Sequence, residues 1–189
     1  FYDTKKNEIY FEHSVGEISG SQFYRFNLKK NFTPDFFRNS LAGFIQKIST
    51  SNYKKILVAI PSYELFKEIF VSEENYLESI IEGLLLGNYS FDKYKSEKGK
   101  LKRLELYIDY SDSKKITKII NTSTKLIDAV TFARDLVNEP ANSLTPHEFV
   151  NRLKHEFSSK NIKLKIFNKA QLQKQNMNCI LSVGRASSN

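Results

Sequence analysis

The chain has 189 residues, 40% of them hydrophobic and 26% charged, with 15 Phe and 10 Tyr. That is enough apolar material for a folded domain plus part of a second, and it excludes wholesale disorder. The net charge of +8 favours anionic partners without naming one. Lysine is scattered evenly, often beside Asn, and an even scatter reads as solvated surface, because a nucleic-acid footprint clusters on one face. The single cysteine, Cys179, rules out an internal disulfide and suits a reducing compartment. No apolar run approaches the roughly 20 residues of a membrane span. The opening FYDTKKNEIYFEH has no signal-peptide core and no initiator Met. The reading is a cytoplasmic protein, with no membrane contact, seen as part of a longer chain.

In chain order, the first helical signal is "NFTPDFFRNSLAGFIQKIST". Thr33 is placed to cap and Pro34 fits the first helical position. Phe37, Leu41, Phe44, Ile45 and Ile48 then recur at helical spacing. "KKILVAIP" follows, its apolar run Ile56–Ile60 reading as a strand buried on both faces. "ENYLESIIEGLLLGNYS" is a second amphipathic helix with Leu77, Ile80, Ile81, Leu84 and Leu85 on one side. In "LKRLELYIDY", Leu104, Leu106 and Ile108 alternate with Glu105, Tyr107 and Asp109, a strand with one wet face. Helices and strands in alternation predict an α/β layer architecture.

A further helix is predicted from Thr122, with Leu126, Ile127, Val130, Ala133, Leu136 and Val137 in register. Pro140 disfavours helical geometry at Glu139 and stops it near Asn138. In "LTPHEF", Thr145 caps, Pro146 opens the next helix and Glu148 completes a capping box. Phe149, Leu153 and Phe157 give that helix an apolar stripe. "NIKLKIF" reads as a strand with Ile162, Leu164 and Ile166 inward, "AQLQKQ" as a short helix, and "NCILSVG" as the start of one more strand.

No residue qualifies as a catalytic, metal-binding or substrate-binding group on this pattern. His147 and His155 stand eight apart, two turns or about 12 Å along a helix, too far for one ion to bridge. The metalloprotease pair H-E-x-x-H needs a spacing of four, so both read as exposed helix histidines. His13 stands alone. Cys179, in an apolar run, reads as a buried structural thiol with nothing nearby to lower its pKa. The densest basic cluster is "GKLKR", residues 99–103, preceded by Lys95 and Lys98. It reads as a solvated turn rather than a phosphate contact. Nucleophile-elbow, P-loop and dinucleotide motifs are absent from the sequence.

One resemblance accounts for several of these segments together. "ARDLVNEPANSLTP", residues 133–146, is similar to the run A-R-x-L-x-N-x-P-x-N followed by Thr-Pro that opens the catalytic domain of the leucyl aminopeptidase (cytosol aminopeptidase) family. "EGLLLGNYSFDKYKSEK" resembles the segment near the end of that family's N-terminal domain, and "KKILVAIP" takes the place of its central strand. "FNKAQLQKQNMNCILSVGRASSN" resembles a later catalytic-domain segment, with "NMN" standing where the family has Gly-Met-Gly and "GRASSN" replacing Gly-x-Gly-Ser. The match covers residues 35–189, strongest from 82 to 146; residues 1–30 match weakly.

The resemblance implies a macro-domain-like N-terminal α/β domain, residues 1–121, with a central mixed sheet flanked by helices. A linker helix, 122–139, would follow, and then the first βα elements of a catalytic domain, 140–189. It further implies a cytoplasmic two-metal hydrolase, using zinc or manganese, that removes N-terminal residues from peptides and assembles as a hexamer. In the family, a Lys, three Asp and a Glu bind the metals within G-K-G-x-x-F-D-S-G-G and N-T-D-A-E-G-R runs. Neither run occurs in this sequence, so its catalytic, metal and substrate-binding residues are expected to be none and its role regulatory or assembly. The alternative expectation is a non-catalytic binding module for nucleic acid, a nucleotide or a protein partner.

Overall fold

The computed structural model describes residues 2–3, 8–9, 13–18, 21–24, 32–51, 53–96, 103–158 and 161–184. Two compact units emerge, Phe1–Thr131 and Phe132–Asn189.

The first unit contains two antiparallel strand pairs ahead of its helices. Strand β1 (Tyr2–Asp3) pairs with β2 (Glu8–Ile9), and β3 (His13–Ile18) with β4 (Ser21–Tyr24). Helix α1 (Pro34–Ser49) begins as its sequence predicts: Thr33 Oγ1 accepts from the Phe36 amide at 3.1 Å and Pro34 occupies the first turn. Strand β5 (Lys55–Ala59) leads through a short 3₁₀ turn, Tyr63–Leu65, into α2 (Glu73–Gly87), which Ser72 caps. Strand β6 (Glu105–Asp109) then returns parallel to β5, with Ile56 opposite Leu106 and Val58 opposite Ile108. A parallel pair needs a crossover, and α2 supplies it.

The core lies between α1, α2 and one face of this pair. Phe37, Leu41, Ile45 and Ile48 of α1 pack with Tyr76, Leu77, Ile80, Ile81 and Leu84 of α2, and Ile56, Val58, Leu106 and Ile108 close on them from the strands. Phe66 and Phe70 add an aromatic cluster: the Phe66 and Tyr76 rings stack at 4.8 Å, and Phe70 meets Phe37 edge-on at 5.5 Å. Tyr76 is fully buried, and its hydroxyl donates to the Pro61 carbonyl at 3.0 Å. Burial pushes its pKa far above the ordinary phenol value.

Strand β5 departs from expectation. It is not covered on both faces: Leu57 is 69% exposed, and burial alternates along the strand. Both helices that pack on it close the face carrying Ile56 and Val58, so among the described residues the other face has no covering layer.

The α1–α2 contact depends on two glycines. A Cβ on Gly83 would meet the Arg38 carbonyl oxygen at 2.7 Å, and one on Gly87 would meet the Ala42 oxygen at 2.4 Å. Arg38 also bridges the pair, donating to Glu82 at 2.7 Å and to Asp35 at 2.5 Å. Asn88, just past α2, fastens that end to the sheet. Its amide donates to the Leu104 carbonyl and accepts from the Leu104 amide, both at 2.9 Å.

Helix α3 (Ser113–Asn138) starts nine residues before the predicted Thr122. Asp112 caps it, accepting from the Lys115 amide at 3.0 Å, and Ile116 and Ile119 join the core. The helix continues without interruption into the second unit and ends where Pro140 predicts. Residues 139–145 turn the chain, with the Ser143 and Leu144 amides both bonding the Pro140 carbonyl at 2.9 Å.

Helix α4 (Pro146–Phe157) is capped by Thr145, which accepts from the Glu148 amide at 3.3 Å. The other half of the expected box is replaced, because the Glu148 carboxylate accepts from Arg152 Nε at 3.1 Å instead. Phe149 is 40% exposed and Leu153 and Phe157 are half-buried, so the predicted stripe is not closed over.

Two predicted strands do not form. Residues 161–167, "NIKLKIF", join no strand among the described residues, leaving Ile162, Leu164 and Ile166 exposed, and "NCILSVG" is helix α6 (Asn178–Gly184). A strand needs a ladder partner, and among the described residues of this unit there is none. A short apolar run does not itself distinguish the two states.

The predicted short helix is present as α5 (Lys169–Lys174), with a full capping box between Asn168 and Gln171. It ends at Asn176, whose φ is 56°. The Asn176 amide bonds the Gln173 carbonyl and the Met177 amide that of Leu172, both at 3.0 Å. This pair of bonds is the left-handed helix stop in which glycine is favoured and asparagine tolerated. It explains physically how "NMN" can stand where the resembled family has Gly-Met-Gly.

Candidate functional site

The histidines do not converge. His147 and His155 both lie exposed on α4, and His147 Nδ1 faces the Asn151 amide at 3.3 Å. Among the described residues no three His, Cys, Asp or Glu side chains gather closely enough to hold a metal ion. Cys179 is exposed on α6, not buried in a strand; the strand that would have enclosed it is absent. Of the basic cluster, Lys95 and Arg103 are exposed, while residues 98–102 lie outside the described residues, as does the side chain of His13. No described helix is long and apolar enough to cross a membrane.

Besides the Arg38 bridge, two polar constellations among the described residues join separate elements, and neither was visible in the sequence. The first sits at the C-terminal end of the parallel pair. Glu73, in the first turn of α2, accepts from the Tyr110 hydroxyl beyond β6 and from Lys115 Nζ in α3. The Lys115 hydrogen bond first, and that of Tyr110 second, hold the Glu73 carboxyl below the ordinary carboxylate value. Bonding to Glu73 pushes the Tyr110 hydroxyl up to about 12 and raises Lys115 too. All three groups are satisfied by one another, so the cluster ties α2, β6 and α3 together and leaves no idle acid or base.

Its signature is pH dependence. Stability from a depressed carboxyl is present above the unfolded-state value and lost as pH falls through the lower folded one. The first unit should therefore lose stability below pH 4.5, and Glu73→Gln should flatten that acid limb in denaturant titrations at stepped pH. An unchanged limb would remove Glu73 as a contributor. At the alkaline end the Tyr110 contribution is present below pH 10 and lost as pH rises through about 12.

The second constellation fixes the corner between α3 and α4. The Glu139 side chain is only 2% exposed and accepts from Arg152 Nη1 at 2.8 Å, while Arg152 Nε reaches Glu148. These two carboxylates first, by hydrogen bonding, hold the Arg152 pKa above its ordinary value.

Comparison with known proteins decides the family. The model described as "Cytosol aminopeptidase family, N-terminal domain" matches residues 28–98, and "Cytosol aminopeptidase family, catalytic domain" matches residues 131–189. The chain belongs to the cytosol aminopeptidase family. A "Probable cytosol aminopeptidase" of Clostridium tetani (strain Massachusetts / E88) is 29% identical over 98% of this chain and 40% of its own length. One of Clostridium perfringens (strain 13 / Type A) is 30% identical over 83% of this chain and 32% of its own. The chain thus spans well under half the length of these cytosol aminopeptidases.

Solved structures agree in fold. A tomato leucine aminopeptidase mutant superposes with a TM-score of 0.75 at 23% identity, over 92% of this chain and 35% of that one. The bottromycin maturation enzyme BotP in complex with Mn superposes at 0.61 with 20% identity, over 83% and 31%. The α/β fold of this chain is therefore shared with the matched third of each of these structures. The described residues do not themselves fit a two-metal centre, since no carboxylate cluster is available to hold one.

Proposed function

We propose that this chain is the N-terminal portion of a cytoplasmic, metal-dependent exopeptidase that removes N-terminal amino acids from peptides. Two family models in the family's order, N-terminal domain and then catalytic domain, carry this reading. The domain division is proposed as 1–121, 122–139 and 140–189, and the uninterrupted α3 supports a helical linker between the outer two. On this reading two zinc or manganese ions supply water activation and carbonyl polarisation. They are held in the part of the family that these residues do not match. Residues 1–189 serve hexamer assembly and access to the site, and contribute no catalytic, metal-binding or substrate-binding residue.

The test is an assay of the 189-residue protein on leucine p-nitroanilide with Mn²⁺ or Zn²⁺, beside the native polypeptide that carries this sequence. The short chain should be silent. The native species should be heavier than 22.0 kDa and active. Metal-dependent turnover by the short chain would overturn the division of labour, and an inactive native species of 22.0 kDa would overturn the peptidase reading.

A second reading has one specific observation in its favour. Lys114, Lys118, Asn121 and Lys125 form an exposed stripe on α3, opposite its buried Ile116, Ile119 and Ile127. Three cations at i, i+4 and i+11 could follow a phosphate backbone, so the N-terminal unit could bind nucleic acid. Titration with duplex and single-stranded DNA decides this. Affinity that falls steeply with salt, and falls further in Lys118→Gln, supports it; absence of binding at low salt ends it.

A further inference from the structure

We draw no further inference here: the strongest candidate, the exposed apolar side chains of Phe149 on α4, Ile162, Leu164 and Ile166 beyond it and Ile180 and Val183 on α6, carries nothing because nothing in the structure shows what covers them.

Discussion

Gly87→Ala should destabilise the first unit by about 2 kcal/mol, while Gly43→Ala should stabilise it by about 0.5–1 kcal/mol. Gly43 lies inside α1 and Gly87 is the last residue of α2, so the gain in helix propensity is full at Gly43 and no larger at Gly87, while the loss of freedom in the unfolded chain is the same. The surroundings differ. At Gly43, on the exposed side of α1, an added Cβ meets nothing within 4 Å. At Gly87 it would lie 2.4 Å from the Ala42 carbonyl oxygen and 2.7 Å from the Ala42 Cα. Those are backbone atoms, so no rotamer change relieves the overlap; the two helices must move apart. Such a movement loosens the contacts of Leu41 and Ile45 with Leu77, Ile80 and Leu84, the centre of the core. Overpacking of this kind costs roughly 1–3 kcal/mol or more, which outweighs the propensity gain of about 1. Urea unfolding of both variants at constant m-value reads the two signs directly. If Gly87→Ala were neutral, close approach would not be what holds α1 against α2. Gly83→Ala should follow Gly87→Ala in sign, since its Cβ would meet the Arg38 carbonyl oxygen at 2.7 Å.

How much of this was legible in the sequence depends on the reach of each interaction. Thr33–Pro34 and Thr145–Pro146 marked two helix starts because capping is local chemistry, complete within four residues. The alternation of Leu104, Leu106 and Ile108 identified β6 and its buried face, because a strand with one wet side repeats every two residues. The early start of α3 was also readable, since Asp112 is a good cap, but the polar run after it hid the helical period. The Glu73–Tyr110–Lys115 cluster joins residues 37 and 42 positions apart, and no periodicity encodes such a meeting. Likewise the grip of Asn88 on Leu104 exists only once the crossover has formed. The departures at residues 161–167 and 178–184 share one cause. Both segments are apolar enough for a strand, and strand formation is decided by a neighbour rather than by the segment. Of the candidate site residues, the sequence excluded a histidine pair by spacing alone, and α4 does carry His147 and His155 two turns apart. The Arg152 bracket escaped notice because its main partner, Glu139, lies 13 residues away across the corner.

That bracket should be the energetic key to the second unit, and Arg152→Met should lower the unit's stability by about 3 kcal/mol. The argument starts from Glu139. Its carboxylate is almost wholly removed from water, between the end of α3 and Pro140, and Arg152 gives it a charged donor at 2.8 Å. Taking the arginine away removes a charged donor from a carboxylate shielded from water, which costs more than the pair itself contributes. Glu148 differs: its side chain is 42% exposed and pairs with Arg152 one helical turn away, an arrangement worth only about 0.3–0.5 kcal/mol. Glu148→Gln should therefore be nearly silent. Arg152→Lys should recover only part of the loss, because one ammonium cannot present two fixed N–H directions to two carboxylates. The discriminating measurement is the double variant Glu139→Gln with Arg152→Met, followed by amide exchange in α4. It should be more stable than Arg152→Met alone, since the carboxylate that Arg152 faces loses its charge together with its cation. Strict additivity of the two substitutions would show that Arg152 acts by packing its stem rather than by neutralising Glu139. In that case the turn at Pro140, fastened by the Ser143 and Leu144 amides, would do more than the Arg152–Glu139 pair to set the course of the chain from α3 into α4.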